Sequence, residues 1–148
     1  MTHVLIVCGR FYEDIADELT NGARVALAKA NVTFDVMDVP GALEIPAAIR
    51  YALVSNRYDG YVALGCVIRG ETSHYDIVCN ESARALSLLN MQFCAAIGNG
   101  ILTVENKKQA LARARVKEGN KGASVVEACL RLIELKEIFG VKPAEAKS

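Results

Sequence analysis

Gly65-Cys66-Val67-Ile68-Arg69-Gly70-Glu71-Thr72-Ser73-His74-Tyr75-Asp76 follows the apolar run Tyr61-Val62-Ala63-Leu64 and precedes a long helical pattern. It reads as the carboxyl end of a buried strand, a glycine turn and the first turn of a helix. In open parallel sheets, ligands bind outside such strand ends. The unpaired N–H groups of a helix start attract an anion, and the helix dipole reinforces the attraction. Thr72 adds a hydroxyl to that nest. Imidazole is the side chain best suited to carrying protons near neutral pH, which makes His74 the acid/base candidate.

Working outward, the same pattern repeats. Val4-Leu5-Ile6-Val7-Cys8 is a continuous apolar run, as expected of a strand covered on both faces. Gly9-Arg10-Phe11-Tyr12 leads into a helix from Glu13 to Ala30, with Ile15, Leu19, Gly22 and Ala26 on its buried stripe. Phe11 stands at the rim between strand and helix, either as a core plug or as a stacking platform for a planar ligand. Thr33 to Val39 is a second strand, ending in Pro40-Gly41-Ala42-Leu43-Glu44-Ile45-Pro46. Pro46 suits the first turn of a helix that runs to Ser55. Glu44 either favours that helix terminus or faces a ligand that approaches the backbone at Gly41-Ala42.

The third strand is Gly60 to Ile68, and its helix runs from Ser73 to Gln92. A fourth strand, Cys94 to Leu102, contains Gly98-Asn99-Gly100, a bulge or close-approach signal. Asn99 is placed near the carboxyl rim of this strand, as a turn residue or a ligand contact. Asn106 caps a short helix, Lys107 to Val116, which presents Arg113. Lys117 to Gly122 is a turn. The last helix, Ala123 to Phe139, has two apolar stripes, and the second (Ala128, Leu132, Leu135, Phe139) reads as a subunit contact.

Strands alternating with helices imply a parallel sheet covered on both faces. Right-handed crossovers make it doubly wound, with strand order 2-1-3-4 and a three-layer α/β sandwich. The 148 residues form one domain, with a polar, frayed tail over 141–148. Basic and acidic residues balance at 17 each, which argues against nucleic acid. No apolar run reaches membrane-spanning length. Met1-Thr2-His3 runs into a strand without a charged-then-apolar leader, so the chain is read as cytoplasmic. Its five cysteines include no Cys-x-x-Cys pair, and no cluster of metal ligands is evident.

Three other chemistries compete for such a fold. A flavodoxin-like flavin-binding module wants a hydroxyl-rich loop after the first strand, where Gly9-Arg10-Phe11-Tyr12 has no serine or threonine. A phospho-acceptor domain wants an aspartate at the end of the third strand, where Gly65-Cys66 stands. A thiol hydrolase would use Cys66 and His74. A nucleophile elbow has glycine two positions after the nucleophile, and here that position is Ile68.

Taken together, Gly9-Arg10-Phe11, Pro40 to Pro46, the opening stretch, Gly100-Ile101-Leu102-Thr103-Val104-Glu105-Asn106 and Gly119-Asn120-Lys121-Gly122 closely resemble the lumazine synthase (6,7-dimethyl-8-ribityllumazine synthase) family. The likeness runs from Val4 to Phe139. It implies a flavodoxin-like sandwich assembled into homopentamers, with sites between neighbouring subunits. The implied reaction condenses 5-amino-6-(D-ribitylamino)uracil with L-3,4-dihydroxy-2-butanone 4-phosphate, without metal or organic cofactor, and releases phosphate and water.

By matching motifs, Phe11 would stack on the uracil ring. Ala42, Leu43 and Glu44 would line the ribityl and pyrimidine site. Cys66, Val67 and Ile68 would offer backbone groups to the pyrimidine edge. Glu71 and Thr72 would bind the butanone phosphate, and His74 would transfer protons. Arg113 would reach the phosphate from an adjacent subunit, with Lys121 adding charge. Two departures stand out. Asn99 occupies a position where many relatives carry an aromatic that a neighbour contributes to the ring site. Many relatives also have a longer segment ahead of the first strand.

Overall fold

A computed structural model describes residues 1–142. Four parallel strands, β1 (His3–Gly9), β2 (Thr33–Val39), β3 (Gly60–Ile68) and β4 (Ile97–Val104), lie in the order β2-β1-β3-β4. Five α-helices connect and follow them: α1 (Glu13–Lys29), α2 (Ile45–Ser55), α3 (His74–Phe93), α4 (Lys107–Ala114) and α5 (Lys121–Ile138). This is the doubly wound, flavodoxin-like α/β sandwich that the sequence implies. Among the described residues, no helix is long and apolar enough to cross a membrane.

The strands divide their side chains between two cores. Val4, Ile6, Cys8, Val62 and Leu64 pack with α1, α4 and α5, while Leu5, Val7, Tyr61, Ala63 and Ile97 pack with α2 and α3. All ten are essentially buried. Each such branched aliphatic side chain contributes about 1.5–3 kcal/mol of transfer free energy. Covering both faces is why the runs read as apolar throughout. The handedness of the crossovers follows too. The chain moves one way from β1 to β2 and the other way from β2 to β3, so α1 and α2 land on opposite faces.

Several boundaries differ from the sequence expectation. Ala42–Glu44 forms a short 3-10 turn before α2, so helical structure begins ahead of Pro46. β4 begins at Ile97 rather than Cys94 and extends to Val104. Cys94 and Ala96 sit in the left-handed region, with φ of 51° and 56°. The Asn90 carboxamide then brackets Ile97, accepting from its N–H (2.7 Å) and donating to its carbonyl (3.1 Å). Asn99 consequently pairs with Ala63 near the start of the edge strand β4, not at the carboxyl rim. α4 stops at Ala114, short of Val116.

Lys121 and Gly122 belong to α5 rather than to a turn. Gly122 is where α5 meets α1, since a Cβ there would lie 2.1 Å from the Leu19 carbonyl oxygen. Gly98 of β4 serves a similar purpose about one turn further along α5, where a Cβ would fall 2.4 Å from the Val125 oxygen. The second stripe of α5 is divided: Leu132 packs on the core, whereas Phe139 is exposed.

α5 ends in a Schellman motif. Gly140 has φ of +67°, its N–H bonds the Glu137 carbonyl (3.1 Å), and the Val141 N–H bonds that of Lys136 (2.8 Å). Val141 is therefore tied down where a frayed tail was expected from it onward; the rest of that expectation, over 143–148, lies outside the described residues.

Gly122→Ala should destabilise the protein by roughly 2–3 kcal/mol, because the added methyl meets backbone rather than a movable side chain. Urea unfolding of the two proteins measures this. A shift below about 0.5 kcal/mol, the range of ordinary surface substitutions, would show that the α1–α5 crossing is not close-packed there.

Candidate active site

β1 and β3 pair as far as Cys8 and Leu64. Beyond that point β3 runs on, bonded only to β4 through Cys66–Leu102, Val67–Thr103 and Ile68–Val104. The edge of Cys66–Ile68 that faces β1 therefore has no strand partner. A cleft of about 380 Å³ opens over it. Phe11 and Tyr12 form one wall and Pro40 to Glu44 the other, with Gly70, Thr72, His74, Tyr75 and Val78 closing the far end.

Phe11 is 74% exposed and touches Tyr12 edge-to-face at 4.9 Å. It is not a core plug. Its neighbour Tyr12 is the one that packs on the core, which leaves the Phe11 ring face available at the mouth of the cleft. Across from it, the Gly41 N–H donates to Glu44 Oε1 (3.0 Å), and the Glu44 N–H to the Gly41 carbonyl (3.3 Å). The carboxylate thus closes its own turn, and Glu44 also lines the cleft. Ala42 is buried under this turn and Leu43 half-exposed above it.

At the far end, Thr72 Oγ1 accepts from the His74 N–H (3.3 Å) in the turn that leads into α3. The hydroxyl hydrogen of Thr72 remains available to donate to an anion. His74 is the first residue of α3, exposed to solvent and facing the cleft. The arrangement offers an aromatic face, an unpaired strand edge able to bond a flat heterocycle, an anion-binding turn and an imidazole.

The other sequence candidates do not reach this cleft within one chain. Glu71 is exposed on the turn but does not line it. Arg113 lies on the exposed side of α4, where Nη1 donates to the Gln109 carbonyl (3.0 Å). Lys121 begins α5. The Asn99 carboxamide accepts from the Ile101 N–H (3.0 Å) on the exposed side of β4. Conversely, Tyr12, Tyr75 and Val78 line the cleft and were not among the candidates. Their signal was available: Tyr12 adjoins Phe11, and Val78 is one helical turn after His74.

Burial pushes the Cys66 thiol up to about 12, with the nearby Asp14 and Cys79 charges adding to the effect. The group is a thiol at neutral pH, which removes the nucleophile that a thiol hydrolase needs. Iodoacetamide labelling of Cys66 should be slow near pH 8 and should rise about tenfold per pH unit up to pH 10, read by peptide mass spectrometry. A rate that levels off near pH 8 would mean an activated cysteine.

The family profile described as 6,7-dimethyl-8-ribityllumazine synthase matches residues 1–137. The chain is 58% identical over 140 residues to the 6,7-dimethyl-8-ribityllumazine synthase of Bartonella henselae, covering 93% of this chain and 90% of that protein. It is 57% identical over 145 residues to 6,7-dimethyl-8-ribityllumazine synthase 1 of Rhizobium meliloti, covering 95% of each. Against the Agrobacterium fabrum protein of the same name it is 56% identical over 143 residues, covering 93% of this chain and 97% of that one. A profile match over nearly the whole chain, and identities of this size across it, place the chain in the 6,7-dimethyl-8-ribityllumazine synthase family.

Proposed function

We propose that this transferase of riboflavin biosynthesis condenses 5-amino-6-(D-ribitylamino)uracil with L-3,4-dihydroxy-2-butanone 4-phosphate in the cleft between β1 and β3. The observation that carries the reading is the meeting of Phe11, the unpaired Cys66–Ile68 edge and the Thr72–His74 turn in one cleft. The pyrimidine stacks on Phe11, with its polar edge on the Cys66–Ile68 backbone. The ribityl chain runs along Ala42 to Glu44, whose carboxylate accepts hydroxyl hydrogen bonds. The phosphate sits at Glu71-Thr72, bonded by the Thr72 hydroxyl and the turn.

Each chemical step moves a proton. The amine adds to the ketone, water leaves, phosphate is eliminated and the ring closes. His74 relays protons between these steps. Holding two reactants in register supplies much of the acceleration. Donors at the phosphate stabilise the charge that grows as it departs.

The active assembly is a homopentamer in the cytoplasm, with each site shared between two chains. Supporting this, Arg113, Lys121 and Asn99 lie away from the cleft of their own chain. Tyr51, Val54, Ile77 and Met91 leave apolar surface exposed on α2 and α3. A neighbour would bring Arg113 and Lys121 to the phosphate and Asn99 to the ring. An asparagine cannot stack as an aromatic would, so Asn99 acts there by hydrogen bonding.

The purified protein should form lumazine from the two substrates, followed by absorbance, at the same rate before and after chelator treatment. Arg113→Ala should lose about a hundredfold in use of the butanone phosphate, equivalent to the roughly 2–3 kcal/mol of one charge-assisted contact. Arg113→Ala and His74→Ala chains co-assembled at random should regain activity, because mixed interfaces carry an intact pair. Tight flavin mononucleotide binding with no lumazine formed would favour a binding module instead. Verified mixed oligomers without recovery would refute the shared site.

A further inference from the structure

Arg10 and Arg69 are the first residues after β1 and β3, the two strands that flank the cleft. Each turns its backbone N–H outward, away from the other. Arg10 donates to the Val39 carbonyl at the end of β2 (2.9 Å), and Arg69 donates to the Val104 carbonyl at the end of β4 (3.0 Å). Each then spreads its guanidinium over carboxylates from two elements. Arg10 binds Glu13 through Nε (2.9 Å) and Nη2 (2.7 Å), and also Asp17 on α1, with Asp38 of β2 at 3.9 Å. Arg69 binds Glu105 beyond β4 through Nε (2.7 Å), with Asp76 on α3 at 3.6 Å. It also lies over the Tyr75 ring at 4.3 Å.

Neither side chain lines the cleft. What each one holds is the segment that does. Gly70 to His74 is exposed throughout, so no burial of apolar side chains orders it. Its ends are tied by the Arg69 network on one side and the first turn of α3 on the other. Phe11 is likewise exposed, and the residue directly before it, Arg10, is anchored to Val39, Glu13 and Asp17. A planar fork that bonds two carboxylates at once restricts a turn in a way that a single point charge cannot. Isolated surface ion pairs add little to global stability, but networks of several charges around one arginine do restrain local geometry.

We propose that Arg10 and Arg69 are positioning residues whose side chains pin the two parted strand ends in place. Arg10 sets the pyrimidine wall at Phe11, and Arg69 sets the phosphate turn and His74. The assignment of substrates to the two walls rests on the function proposed above. The division of labour gives a test with opposite expectations for the two sites.

Arg69→Gln should raise the KM for butanone phosphate by about tenfold and leave that for ribitylaminouracil within about twofold, as expected for loss of orientation at one end of a site. Arg10→Gln should do the reverse. Glu105→Gln, at a residue outside the cleft, should reproduce Arg69→Gln, and the double variant should be no worse than either single one. Arg69→Lys should recover only part of the loss. Should Arg10→Gln fail to fold, Asp17→Asn weakens the same fork.

Backbone nitrogen-15 relaxation without substrate reads the struts independently. Order parameters should fall over residues 70–75 in Arg69→Gln and over 11–13 in Arg10→Gln, each without change in the other window. Wild-type protein that forms no lumazine would overturn the substrate reading, while the order parameters would still decide the struts. Variants that raise both KM values together, or that leave the order parameters of both windows unchanged, would overturn the positioning roles.

Discussion

The separation of β1 from β3 at their carboxyl ends is the constraint on which the site depends. The two strands share a ladder up to Cys8 and Leu64 and then part. Their next amides have to bond somewhere, because a backbone N–H left without a partner is costly. Arg10 satisfies its own on β2 and Arg69 on β4. The crevice is therefore a consequence of completing the sheet's hydrogen bonds in two directions. The helices follow the same division, with α1 leaving on one face and α2 and α3 covering the other. Three loops are thereby brought to one point from distant parts of the chain.

Most of the fold was legible because burial on both faces writes itself into continuous apolar runs. β2 and β3 fall where their composition places them, and β1 differs only at its ends. The start of β4 was not legible. Cys94-Ala95-Ala96 is as apolar as a strand, but two of its residues take left-handed conformations and Asn90 clamps Ile97 from a helix. Nothing in local composition announces either feature. Gly122 misled in another way. Beside Gly119 and Asn120 it reads as a turn residue, yet its lack of a side chain serves the contact with Leu19. Close approach and turn formation ask for the same residue, and only tertiary structure separates them.

The cleft itself was legible in outline. Strand ends, a glycine turn and a helix start fall together by topology alone, and Phe11, Glu44, Thr72 and His74 converge as that argument requires. Arg113 and Lys121 received their roles through family resemblance, whereas Asn99 was first placed at the carboxyl rim from its flanking glycines; the geometry of one chain leaves all three away from the cleft. On the shared-site reading proposed above they would come from a second copy, which the topology of one chain does not place. The Arg10 and Arg69 networks escaped for a simpler reason. Only the Arg10–Glu13 pair is local in sequence; the other carboxylate partners are spread over α1, β2, α3 and the segment after β4, so spacing does not reveal the networks.

The central claim is that the condensation occurs over the unpaired edge of β3. The most direct measurement is a crystal structure of the protein soaked with ribitylaminouracil and inorganic phosphate. The account predicts the pyrimidine ring parallel to Phe11 with its polar edge bonded to the Cys66–Ile68 backbone, and phosphate within hydrogen-bond distance of Thr72 Oγ1 and close to His74. A pyrimidine bound away from Phe11, or a phosphate held at a site remote from Thr72, would contradict it.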